Sequence, residues 1–242
     1  MKKALICIAI ASVAITSCRK DETTDTTIKE VSDLATQNSN DDAAIAKYMD
    51  EHYFDTQGNI KEFSSTDTSD DAFTKLSALP FQKLSSGVVV IIRDGAQPNP
   101  GTTIGSTDII RIMGKSTSFL STNDNGTVKF ASEMIFTNTI ESTGVPQVDP
   151  QYYYVKNATM TASGKGRSYY EIEGFQEGLK YFKSFDKADS DGYNLQGAII
   201  VPSRAAFARD EHYPYSFLSW RNRSLVFNFQ IYKATTRPAS QQ

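Results

Sequence analysis

Cysteine is nearly absent from this chain of 242 residues: Cys7 and Cys18 are the only two. Histidine is equally scarce. His52 and His212 lie far apart, with no cysteine or carboxylate companions at ligand spacing, so no zinc site is legible. Basic residues do not exceed acidic ones (25 against 28, formal charge -3), and no basic tract is present, so nucleic acid is not an expected partner. Gly114-Lys115-Ser116 lacks the glycine that a phosphate-binding loop needs five residues earlier, where Ile109 stands. Asp189-Ser190-Asp191-Gly192 would place Ala198 where a calcium loop needs glutamate. No serine sits in a nucleophile-elbow context. No metal or cofactor is therefore expected. Catalysis by charged groups is not visible either, so any chemistry has to use shape and apolar surface.

The longest apolar run, Ala4 to Ile15, is shorter than the roughly 20 residues of an ordinary membrane span. Lys2 and Lys3 precede it, as in an export signal. The run ends in Ile15-Thr16-Ser17-Cys18, which resembles a bacterial lipobox. On that reading residues 1–17 are a lipoprotein signal peptide, and Cys18 becomes the acylated first residue, anchored to one leaflet. The alternative is a plain secretory signal with an incidental cysteine. Because cleavage removes Cys7, Cys18 is left without an intrachain disulfide partner, which favours lipidation. Loss of Lys2 and Lys3 takes the formal charge from -3 to -5. Arg19-Lys20-Asp21-Glu22 resembles the surface-export signal of Bacteroidota lipoproteins. The expected location is the outer membrane, on its periplasmic or its exposed face.

Residues 18–40 are rich in Thr, Asp, Asn and Ser and read as a disordered tether. Residues 41–83 read as a helical extension: after a cap at Asn40 or Asp41, Ile45, Tyr48, Met49 and His52 recur at helical spacing. A second short helix is predicted over 71–79, before Pro80. The main domain spans 84–233, with a tail at 234–242. Its predicted strands are Val88 to Ile92, Asp108 to Met113, Thr127 to Phe130, Ala198 to Val201 and Ser224 to Tyr232. Asp124-Asn125-Gly126 marks a turn, and Leu225, Phe227, Phe229 and Ile231 share one face of the last strand. Tyr170 to Leu179, "YEIEGFQEGL", reads as a strand turning through Gly174 into a short helix, with Gly178 leaving room for the sheet. The fold class is α+β, an antiparallel sheet curled over one central helix.

Three stretches, "EIEGFQEGLKYF", "IIVPSRAAFA" and "SLVFNFQIY", occur in an order that resembles FKBP-type peptidyl-prolyl cis-trans isomerases. Upstream, "SGVVVIIRDGAQPNPGTTIGSTDIIRIMGK" is similar to that family's opening two strands, and the helix "DDAAIAKYMDEHY" to an extension of its lipoprotein members. The resemblance implies a half-barrel sheet around one short helix, with an aromatic pocket between them that takes a prolyl ring. Rotating an X-Pro amide crosses a barrier of roughly 18–20 kcal/mol that comes from C–N double-bond character. An apolar pocket disfavours the dipolar resonance form, and tighter binding of the twisted amide supplies the acceleration.

By the same resemblance Phe175 stands for the tryptophan at the pocket floor, and Ile172 for the isoleucine whose backbone N–H contacts the ligand. Phe130, Phe207 and Phe227 stand for pocket aromatics, Ile112 for a pocket tyrosine, and His212 for a histidine at the rim. Ala131 replaces an aspartate, Phe207 lacks a tyrosine hydroxyl, and Glu171 stands where a valine is usual. Residues 131–168 read as an insertion that could be a lid or could close the cleft. The expected function is a lipid-anchored prolyl isomerase acting on proline-containing polypeptides during envelope protein folding. Two rivals stay open: a catalytically degenerate binding or assembly subunit of a cell-envelope complex, and a surface lipoprotein that binds glycan or protein.

Overall fold

The β-branched runs Val89–Ile92 and Gly197–Val201 pair antiparallel, with Val90 opposite Ile199. Neither run alternates in polarity, as expected for strands covered on both faces. They belong to a computed structural model in which residues 30–242 are described. The expected signal peptide, Cys18 and the start of the tether lie outside the described residues.

Three helices and eleven strands are described: α1 (Leu34–Glu51), β1 (His52–Phe54), β2 (Ile60–Glu62), β3 (Phe81–Lys83), β4 (Val89–Ile92), β5 (Thr102–Thr103), β6 (Ile109–Asp124), β7 (Thr127–Asn138), β8 (Gln147–Val148), α2 (Asn157–Ser163), α3 (Glu173–Leu179), β9 (Lys183–Ser184), β10 (Gly197–Val201) and β11 (Arg223–Thr235). The main sheet is antiparallel in the order β3-β4-β10-β11-β6-β7, with β8 added beside β6. The α+β expectation agrees with this architecture.

Helix packing buries both faces of the sheet. On one face α3 and the residues after β7 enclose Val90, Ile199, Val201, Leu225, Phe227, Phe229 and Ile231. On the other, Ile45, Tyr48 and Met49 of α1 cover Val89, Ile91, Phe119, Ala198, Ile200 and Val226. The polar residues of β11 are buried as well. Asn228 donates to the carbonyls of Gly58 at 3.0 Å and Gly197 at 2.9 Å, and accepts from the Ile60 N–H at 3.0 Å. The Asn228 amide, taken from water, is thereby paired, whereas the buried Ser224 hydroxyl has no partner.

Several boundaries differ from those read in the sequence. Helix α1 begins at Leu34, inside the expected tether, because Asp33 caps it by accepting from the Thr36 N–H at 2.7 Å. Asp41 is no cap. Its carboxylate is fully buried and accepts from Gln37, Ser121 and both the N–H and hydroxyl of Ser203. The expected helix at 71–79 is only a turn of 3-10 helix, Leu76–Ala78, and the 41–83 extension also contains a small hairpin and the edge strand β3. Strand β7 continues to Asn138, so the first residues of the stretch read as an insertion from residue 131 belong to the sheet. The supposed tail contains Arg237, which is buried.

Among the described residues no helix is long and apolar enough to cross a membrane, and no cluster of His, Cys, Asp or Glu could hold a metal ion.

Candidate functional site: a buried aromatic cluster

Gly174 lies inside α3, and the chain turns before it, at the extended residue Ile172 (φ -103°, ψ 99°). A Cβ at Gly174 would lie 2.5 Å from Val201 Cγ1 and 2.8 Å from the Ala205 carbonyl, and one at Gly178 would lie 2.7 Å from Ile199 Cγ2. The two glycines, one turn apart on α3, let the helix rest directly on β10. That seating places the Phe175 ring against Phe227 at 4.5 Å and Phe229 at 5.8 Å between ring centres.

The space next to Phe175 holds Tyr152, from the segment between β7 and α3. Its ring lies 5.6 Å from Phe175 and 5.8 Å from Phe227. Its carbonyl accepts from the Ile172 N–H at 2.8 Å. Phe136, Tyr215 and Trp220 complete the enclosure, with Phe136 edge-on to Trp220 at 4.9 Å and to Tyr152 at 5.3 Å. Ile172, Phe175 and Phe227 are 0% exposed and Phe207 is 2% exposed, so solvent does not reach the floor. Burial pushes the hydroxyl pKa of both Tyr152 and Tyr215 well up, and both act as neutral donors, Tyr152 to Gln147 Oε1 and Tyr215 to the Tyr170 carbonyl.

The segment holding Tyr152 is fastened by its neighbours. Glu171 Oε1 accepts from the Val155 N–H at 2.8 Å, and Gln176 Nε2 donates to the Tyr153 carbonyl at 2.6 Å and to Glu171 Oε2 at 2.9 Å. Arg167 Nη1 donates to Glu171 Oε1 at 2.7 Å. Desolvation alone would lower the Arg167 pKa, but the Glu171 carboxylate and the Tyr154 hydroxyl outweigh it and raise it. At the start of the segment Asp149 forms a two-pronged pair with Arg237, whose side chain is fully buried and donates through Nε to the Thr107 carbonyl at 2.9 Å. Both guanidinium groups also lie over the Tyr154 ring, at 4.6 Å for Arg167 and 4.1 Å for Arg237.

Of the residues chosen from the sequence, Ile172, Phe175, Phe207 and Phe227 belong to one buried cluster. His212 stacks on Phe207 at 4.8 Å; its Nδ1 faces the Asp210 carbonyl at 2.8 Å and its Nε2 accepts from the Trp220 N–H at 2.8 Å. Ile112 is in the same cluster but opposite Ile231, four residues along β11 from Phe227. Phe130 is not part of the cleft. It stacks on Phe119 at 4.9 Å and meets Tyr48 of α1 at 5.8 Å, on the opposite face of the sheet. One register shift, where Ser132 and Glu133 stand against Phe119, lies between it and Phe136, and Phe136 is itself the extra residue of a second shift; its ring packs against Phe227.

Four cleft residues were not singled out in the sequence: Phe136, Tyr215, Trp220 and the individual Tyr152. Trp220 is the only tryptophan, and a lone indole in a polar loop is a signal of burial. An open cleft of about 370 Å³ does exist nearby, lined by Ile104, Tyr153, Tyr154, Arg167, Gln176 and Leu179, but none of the expected prolyl-pocket residues lines it. Compared with known proteins, the chain matches no family model and no curated sequence.

Proposed function

We propose that the chain is a lipid-anchored cell-envelope protein on an FKBP-like scaffold, whose prolyl cleft is filled by its own Tyr152. In this closed state it works as a binding or assembly subunit and does not turn over prolyl peptides. The observation carrying this reading is the double engagement of Tyr152: its ring covers Phe175 and Phe227, and its carbonyl takes the Ile172 N–H. These are the two contacts that the family resemblance reserves for a substrate. A prolyl ring cannot enter while they stand, and the aspartate and tyrosine hydroxyl that would orient it are replaced by Ala131 and Phe207.

The scaffold itself is supported by the antiparallel sheet with α3 seated on one face and by the assembly of Ile172, Phe175, Phe207 and Phe227 around one point. That same assembly favours a second reading, a latched isomerase that acts once the Tyr152 segment is displaced. A prolyl-peptide isomerisation assay on the mature chain and on Tyr152→Gly separates the two. No acceleration by either supports the binding module; acceleration by the variant alone supports the latch. Acceleration by the unaltered chain would sink the closed-cleft reading.

A further inference from the structure

We infer that the loop 213–218 is a membrane-contact element that presses on the bilayer carrying the lipid anchor; the inference rests on the anchor reading above. Phe217 is 98% exposed, far beyond any other large apolar residue described, and Tyr213 and Leu218 beside it are exposed too. The ring is not simply loose. Ser216 and Phe217 both adopt positive φ, 57° and 61°, a conformation that bulky residues rarely take. The base of the loop is fixed: the Tyr213 N–H donates to the Tyr169 carbonyl at 2.7 Å, and Trp220 Nε1 donates to the Tyr215 carbonyl at 3.0 Å. A rigid, buried base therefore presents an apolar tip.

The bilayer is the occupant favoured by where the described chain begins. Glu30 binds Arg221 at 3.1 Å and Arg209 at 3.2 Å and also accepts from Asn222, all just beyond the ends of this loop. The Val31 and Ser32 carbonyls accept from Arg209 as well. From Cys18 to Glu30 is twelve residues, which span at most about 40 Å. An acylated Cys18 thus keeps the Phe217 loop within reach of the membrane, and Leu34, also exposed, follows shortly after the docked segment. One phenylalanine would not hold a free protein on lipid, but a tether raises the local concentration until a weak contact forms. The nearby charges balance: Arg209 and Arg221 share Glu30, Lys165 pairs with Glu211, and Asp210 offsets the remaining positive charge. The contact is therefore apolar and independent of anionic lipid.

The test uses full-length protein, acylated in bacterial cells and reconstituted into phosphatidylethanolamine–phosphatidylcholine vesicles containing brominated lipid. The reporters are Phe217→Trp and, as control, Val148→Trp. Val148 is exposed and pairs with Arg111, which pairs with Lys233, at the end of β11 remote from the loop. The buried Trp220 contributes the same background to both. The expected result is quenching and a blue shift for Phe217→Trp only, unchanged by added anionic lipid. If intact mass shows acylation and the protein floats with vesicles, yet the two reporters respond alike, the inference fails while the anchor stands. If no acyl mass is found, both fail. Dimerisation of the non-acylated Cys18→Ser form that Phe217→Ser abolishes would also overturn it, in favour of a second copy on this loop.

Discussion

The Ile172 N–H donates to the Tyr152 carbonyl at 2.8 Å, and the ring of the same tyrosine lies 5.6 Å from Phe175, the third residue of the helix that Ile172 caps. One residue thus covers Phe175 with its ring and takes the Ile172 N–H with its carbonyl. On the proposed reading, a ligand at this position must replace a buried aromatic ring together with a main-chain hydrogen bond.

Tyr152→Ala removes the ring and leaves a cavity walled by Phe136, Phe175 and Phe227. Truncation of a large buried aromatic costs about 3–5 kcal/mol. Urea unfolding should show that loss, and the variant should take up an N-acyl-proline amide that the unaltered chain ignores. An unchanged midpoint would mean that the ring is not packed as described.

Glu171→Ala tests the fastening separately from the plug. It strips the partner from the buried Val155 N–H and leaves Arg167 without its carboxylate. The combined cost is expected at about 2–4 kcal/mol. Hydrogen exchange should speed up first at the amides of Val155 and Ile172. Uniform acceleration across the sheet would show that Glu171 supports the whole fold and not this segment in particular.

The central strands were legible because their apolar content is dense enough to need burial on any arrangement: Val89–Ile92, Gly197–Val201 and the alternating Leu225 to Ile231 all lie where the pattern put them. Phe130 was not, because a side chain's face depends on register. The shift opposite Phe119 puts Phe130 and Phe136, six residues apart, on opposite faces, and Phe136 sits in a second shift, without leaving a local trace in polarity. Glu171 looked like an intruder in an apolar wall. Its partners, Val155 and Arg167, come from the segment whose path the sequence does not reveal, so its role as a fastening was hidden. The start of α1 was missed for a similar reason: Gln37, Asn40 and Asp41 are polar yet buried, Asp41 through bonds to residues some 80 and 160 positions away and Gln37 through its bond to Asp41.

Shortening the chain to begin at residue 41 should therefore destabilise it relative to a chain beginning at residue 30. The cut removes the first two turns of α1, with Gln37, and breaks the Arg209 contacts to Val31 and Ser32. A thermal melt of the two forms is the check, and equal midpoints would mean that α1 before Asp41 contributes nothing to the packed layer.

Gly178→Ala sets two effects of opposite sign against each other. In an exposed helix the change favours folding by about 1 kcal/mol. Here the new methyl would meet Ile199 Cγ2 at 2.7 Å, and overpacking of a close contact costs typically 1–3 kcal/mol. The net is expected to be destabilising, and Gly174→Ala more so, because its methyl would meet backbone as well as Val201 and Val88. A stabilised Gly178→Ala would show that α3 is not seated on β10.

Acid should loosen the Tyr152 segment from its Asp149 end. Burial acts to raise the Asp149 pKa, but the hydrogen bond and charge of Arg237, helped by Lys156, outweigh it and leave the group below its ordinary value. A carboxyl with a depressed folded-state pKa adds stability that is fully present above its unfolded pKa, about 3.9, and is lost as pH falls through the folded value. The contribution is therefore constant at neutral pH and disappears only below about pH 4. Asp149→Asn should abolish that acid-dependent step and lower stability at pH 7, because Arg237 stays buried without its counter-ion. Urea midpoints from pH 3 to 7 for both forms provide the measurement. If the two curves stay parallel down to pH 3, the Asp149–Arg237 pair is not what holds this end of the segment.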